Sequence, residues 1–173
     1  GMDVIKQGIE KIGGTVHLQS EVGIGTTFVL NLPLTIAIIS GLIIKCHTHR
    51  FVIPTTTIQY LIKIDENNEP SLINGDYFFS YQNQQVPCHY LHSLFRREPP
   101  KKGVFILCEV KGYHFGLIVD QTIDIQQIAQ KPLHTQLSSL HYTSAVTILG
   151  DGLPSLILNI PAIADKLQLL HTK

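Results

Sequence analysis

From Gly41 onward the chain is written in short runs of Ile, Val, Thr, Phe and Tyr separated by turn clusters, a rhythm that restricts it to closed or sandwiched β structure. The breaks fall at His47-Thr48-His49, 65–70, Asn74-Gly75-Asp76, Gln82-Asn83-Gln84, 97–103, Lys111-Gly112 and Gly150-Asp151-Gly152. Only 161–170 reads as a helix in this part, opened by Pro161 in a first-turn position. With 44% hydrophobic and 15% charged residues among 173, the chain has ample apolar surface for a core.

Two segments of this region resemble each other. LIIKCHTHRFVIPTTTIQYLIKI at 42–64 and VFILCEVKGYHFGLIVDQTIDIQQI at 104–128 each run strand, tight turn, strand, break, strand, and Cys46 and Cys108 fall at the same point of each first strand. A period near 60 residues is too long for a solenoid and predicts two small barrel subdomains, roughly 40–98 and 103–160, sharing a core. The Pro-Pro-Lys-Lys stretch near residue 100 is the expected crossover. In the run 76–82, strand alternation puts Tyr77, Phe79 and Tyr81 on one face and Phe78 on the other, so the three are either core or a docking surface. Gly150, Asp151 and Gly152 are foremost a hairpin turn.

The first 34 residues have a different texture. Val4, Ile5, Ile9 and Ile12 recur at helical spacing before Gly13-Gly14, and two alternating strands then flank a glycine turn at 23–25. One helix on a two-stranded hairpin buries too little surface to offset chain entropy. The apolar face made by Val4, Ile5, Ile9, Val16, Leu18, Phe28 and Leu30 therefore belongs to something larger. In isolation it is expected to be disordered, to repack on the β region, or to be shared between two copies in a homodimer.

Thirteen basic residues balance thirteen acidic ones, which excludes an electrostatic footprint for nucleic acid or an anionic membrane. Lys45, Lys63, Lys102 and Lys111 interrupt the apolar runs, and no signal segment opens the chain, so a cytoplasmic location without membrane insertion is expected. Cys46, Cys88 and Cys108 form no Cys-x-x-Cys pair and read as buried thiols. The two clusters around His47 and His49, and around Cys88, His89 and His92, would make a metal site only by converging; isolated strand-turn histidines, His114 included, are usually solvated, and no metal is expected. Asp65, Glu66 and Glu69 sit in a polar loop, and no nucleophile, base and orienting group share a local context. No catalytic residue is assigned.

The opening, GMDVIKQGIEKIGGTVHLQSEVGIGTTF at 1–28, resembles the end of the ATP-binding domain of the CheA chemotaxis histidine kinases. The continuation LPLTIAII at 32–39, FGLIVD at 115–120 and VTILGDGLPSLILN at 146–159 resemble the CheW-like regulatory domain of those kinases. Asn159 replaces a usual aspartate, Ser144 stands near a usual glycine, and Pro154 suits a strand start. The resemblance implies a mainly β, CheW-like fold of two five-stranded barrels at 35–173, preceded at 1–34 by an α+β stub of the kinase domain. It places the glycine loop, the magnesium asparagine and the adenine aspartate upstream of residue 1. ATP and magnesium are thus expected only with the full kinase, not with this piece. Gly1, Met2, Thr26 and Thr27 would be a nucleotide-binding remnant. The implied partners are the coupling protein CheW and chemoreceptor tips in receptor arrays, with Leu34 and Thr35 as a hinge; a stand-alone CheW-type adaptor is the alternative.

Overall fold

The computed structural model describes residues 2–11, 14–32, 37–94, 100, 102–132 and 141–171. Gly1, the hinge residues Leu34 and Thr35, and Pro99 and Lys101 of the expected crossover lie outside the described residues. At the start, α1 (Met2–Lys11) precedes the antiparallel hairpin of β1 (Thr15–Glu21) and β2 (Gly25–Asn31), and the Gly14 amide donates to the Ile9 carbonyl as the chain leaves the helix. This is the expected helix and hairpin. Val4, Ile5, Leu18, Phe28 and Leu30 are exposed, and with Val16 the last four of these line an apolar groove of about 440 Å³ between helix and hairpin.

The remaining strands are β3 (Ile38–Cys46), β4 (His49–Pro54), β5 (Ile58–Lys63), β6 (Ser71–Ile73), β7 (Asp76–Tyr81), β8 (Gln84–Tyr90), β9 (Val104–Val110), β10 (Tyr113–Val119), β11 (Gln121–Ala129), β12 (Lys131–Pro132), β13 (Thr143–Ile148) and β14 (Pro154–Leu158). They form two six-stranded sheets, in the orders β5-β9-β10-β8-β7-β6 and β11-β3-β4-β14-β13-β12. Each sheet is built on one hairpin, β9–β10 or β3–β4. An antiparallel strand flanks each hairpin on one side, β5 or β11, and a parallel strand on the other, β8 or β14. Expected turn chemistry sets the hairpins: Asn74 and Gly75 both take positive φ, as do Lys111 and Gly112, which matches the twist of the flanking strands.

This arrangement corrects the expected five-stranded barrels. The sheets have six strands and, among the described residues, are not closed by pairing between their outer strands. Nor do the sheets coincide with the contiguous stretches 40–98 and 103–160. The third strand of each sequence repeat leaves its own hairpin: β5 pairs with β9, and β11 pairs with β3. A 3₁₀ turn at Thr55–Thr57 redirects the chain after β4, held by Thr57 Oγ1 donating to the Pro54 carbonyl at 2.8 Å and Thr55 Oγ1 donating to the Ser40 carbonyl at 3.1 Å. The two halves of the chain are thereby interleaved.

Central strands are buried on both faces, which explains their unbroken apolar runs. On β9, Ile106 and Cys108 enter a core shared by the two sheets, whereas Phe105 and Leu107 enter a second cluster with Phe79, Val86 and Ile118. On β3, Leu42, Ile44 and Cys46 face the shared core and Ile43 faces a third cluster with Val52, Ile128 and Ile157. The helix α3 (Ile160–His171) closes the shared core with Ile160, Ile163, Ala164 and Leu167, the spacing of one helical face. Its start is capped by Asn159, whose Oδ1 accepts the Ala162 amide at 3.1 Å; the departure from aspartate thus keeps an equally good cap. Pro154 is the first residue of β14, a strand position where its missing N–H costs little pairing.

Cys46, Cys88 and Cys108 are buried and free, and burial pushes each thiol up to about 12. At neutral pH essentially no thiolate is present to react. Dithionitrobenzoate added to the native chain should label none of the three within an hour, and all three at once after denaturation; rapid native labelling would contradict the burial.

Candidate docking surface

The edges of the two sheets meet where β5 ends and β11 begins, around a cleft of about 410 Å³ lined by Leu61, Lys63, Lys102, Asp120, Gln121 and Thr122. Leu61 lies opposite Ile106, and Ile125 lies opposite Leu42, so both point from the faces that carry the shared core. They remain 44% and 56% exposed. A bulge between Thr122 and Asp124 breaks the pairing of β11 with β3, and the exposed Ile123 sits in it. An apolar rim carried on two edge strands, with Lys63 and Lys102 beside it, has the chemistry of a protein-docking surface.

Asp120 stands at the crossing from β10 to β11. Its carboxylate accepts the backbone N–H of His47, at the positive-φ tip of the β3–β4 hairpin, and contacts His92 Nε2 at 3.1 Å; its own N–H donates to the Lys45 carbonyl. His92 lies in α2 (Leu91–Leu94), directly after β8, and is 2% exposed. A carboxylate only accepts, so Nε2 carries the hydrogen, and Nδ1 is left without a partner among the described residues. The reading of the strand-turn histidines as solvated thus fails for His92. Nothing in local spacing signals the contact, because 28 residues separate the pair.

The other sequence candidates are placed as follows. Phe79 is 2% exposed and stacks on Phe105 with ring centroids 4.0 Å apart, so it is core and offers no docking surface. Tyr77 and Tyr81 pack against the same cluster, half-buried, Tyr77 edge-on to Tyr90 and Tyr81 against Tyr60. Gly150, Asp151 and Gly152 form the turn between β13 and β14: Gly152 takes φ of 80° and its amide donates to the Leu149 carbonyl, while Asp151 Oδ1 accepts the Leu153 amide. The Leu153 amide, with the Arg50 guanidinium second, holds the Asp151 carboxyl below the usual range, and the pairing with Arg50 ties the turn to β4. Met2 opens α1, and Gly1 is outside the described residues. Thr26 Oγ1 is 2.9 Å from Ser20 Oγ across the first hairpin, an ordinary cross-strand contact, and Thr27 is exposed beside it. Among the described residues no three His, Cys, Asp or Glu side chains are grouped as metal ligands, and no helix is long and apolar enough to cross a membrane.

Sequence reasoning missed Leu61, Ile123 and Ile125 as surface residues, since each sits in an apolar strand pattern that reads as core. The comparisons agree with the architecture. The model of the CheW-like domain matches residues 40–168. The chain is similar to chemotaxis protein CheA of Salmonella typhimurium, 31% identical over 94% of this chain and 25% of that protein. It is similar also to chemotaxis protein CheA of Treponema pallidum, 36% identical over 95% of this chain and 21% of that protein. It therefore spans a quarter or less of the length of these relatives. The fold is that of the scaffolding protein TtCheW of Thermoanaerobacter tengcongensis, with a TM-score of 0.53 and 17% identity over 71% of this chain and 90% of that one. With more than half of its length matched by that model, the chain belongs to the CheW-like domain family.

Proposed function

We propose that this chain is the regulatory scaffold of a CheA-type histidine kinase, with no catalysis of its own, and that it docks a CheW-type coupling protein and chemoreceptor tips along the β5/β11 rim. The observation that carries the docking reading is the pair of exposed apolar residues, Leu61 and Ile125, on the two edges that meet over the shared core. Two features support the kinase context. The likeness to CheA covers 94% of the chain, which takes in most of the residues ahead of the CheW-like match, and the helix and hairpin there hold an open apolar groove. The rest of an ATP-binding domain would cover that groove, with a second copy of the chain as the other candidate occupant. A stand-alone cytoplasmic adaptor is the second reading, supported by the likeness to TtCheW, but it gives no use to residues 2–31.

The rim is tested by Leu61→Glu and Ile125→Glu, each placing a charge where the partner's apolar surface would be desolvated. Calorimetric titration with a CheW-type coupling protein and with a chemoreceptor cytoplasmic fragment should show at least tenfold weaker binding of one or both, with the melting temperature unchanged. Leu72→Glu, on the far edge strand β6, should bind as the parent does. Equal affinities for all three variants would remove the rim from the proposal.

A further inference from the structure

We propose that Asp120 and His92 are positioning residues of the docking cleft: a clamp that ties the two sheets together and sets the spacing of the β5 and β11 edges. The inference rests on the docking reading for its purpose, but the clamp itself stands on geometry. Asp120 is the residue at which the chain passes from one sheet to the other, and its side chain is shared by the two. The His47 amide reaches it from the β3–β4 hairpin of one sheet, and His92 reaches it from the turn leaving β8 in the other. The same Asp120 lines the cleft between the edges. Each sheet is internally paired along its strands; between sheets the contacts in the shared core are apolar and non-directional. The carboxylate supplies direction where apolar packing supplies none.

The burial of His92 points the same way. An imidazole almost wholly removed from water, with Nδ1 unpartnered among the described residues, is a poor contributor to stability, since an apolar side chain of similar volume fills the space without an orphaned polar atom. What an apolar replacement cannot do is hold Nε2–H against Asp120. Buried polar groups whose best-attested use is to fix one arrangement among several behave in this way.

The test uses the whole chain with spin labels on Lys63→Cys and Gln127→Cys, one on each edge strand; the buried native thiols stay unlabelled. Electron–electron distance measurements should give one narrow distribution. His92→Phe, which keeps volume and loses the donor, should broaden it at least twofold and speed exchange of the His47 amide at least tenfold, whereas His92→Gln, which keeps a nitrogen donor at comparable reach, should restore both. An unchanged width in His92→Phe, or equal broadening in Phe and Gln variants, overturns the clamp. Should His92→Phe fail to fold, Asp120→Ala carries the same test, since it removes Oδ2, the one oxygen that both the His47 amide and His92 Nε2 reach: broadening supports the clamp, and an unchanged width overturns it. Partner binding is measured separately. A widened cleft that binds partners as before removes the docking reading and leaves the clamp in place.

Discussion

Replacing Gly116 by alanine lowers the unfolding free energy by about 3 kcal/mol, the upper range for forcing extra volume into a packed core. Gly116 lies in the middle of β10, where a Cβ would fall into the edge of the Phe105 ring, 2.7 Å from its Cζ and 2.8 Å from the Cβ of Cys88. Contacts so short require movement, and neither neighbour can give easily. Phe105 is fully buried and stacked on Phe79, and Cys88 is fully buried on the adjacent parallel strand β8. For a domain of this size the loss corresponds to a fall in melting temperature of roughly 10 °C. Circular dichroism melts would measure it. The same argument makes Phe105→Leu a partial suppressor: removing ring atoms costs stability on its own, yet in the Gly116→Ala background the two changes should be less than additive. Strict additivity, or a melting point equal to that of the parent, would show that the ring and the glycine do not share this space.

The second large effect concerns autonomy. Cut into 2–94 and 102–171, neither fragment should hold a native sheet alone, while an equimolar mixture should regain the cooperative melt of the intact chain. The reason is that every hairpin at a sheet centre is flanked by strands of the other half. Without 102–171 the β3–β4 hairpin loses both neighbours, β11 and β14, and without 2–94 the β9–β10 hairpin loses β5 and β8. A lone hairpin in water is marginal at best. Two barrels formed from contiguous sequence would behave oppositely, each fragment folding separately. Proton–nitrogen NMR spectra of the fragments decide: dispersed amide signals from either fragment alone contradict the interleaving, and collapsed spectra that disperse on mixing support it.

Much of the local structure was legible before any coordinates. Alternation and turn residues placed the first hairpin, the Asn74-Gly75 and Lys111-Gly112 turns, the Gly150-Asp151-Gly152 turn and the final helix, because each of these depends on backbone preferences within a few residues. The repeat of 42–64 in 104–128 was visible too; Cys46 and Cys108 enter one core, but not at the same point of their strands, since Cys46 is the last residue of β3 and Cys108 stands two residues before the end of β9. The exposed rim proposed for docking was not. Leu61 and Ile125 carry the same apolar letters as their buried neighbours, and only their position at sheet edges leaves them exposed. Alternation groups Tyr77, Phe79 and Tyr81 on one face, and the structure turns that face inward, against the cluster that holds Phe105.

From its letters alone, this chain was committed to short strands, tight turns, one closing helix, buried thiols and two related halves, since periodicity and turn chemistry act between near neighbours. Which strand pairs with which was decided in three dimensions. The exchange of β5 and β11 between sheets, the meeting of Asp120 with His92, and the exposure of the rim all depend on contacts between residues far apart in the chain, whose free energies no local pattern records.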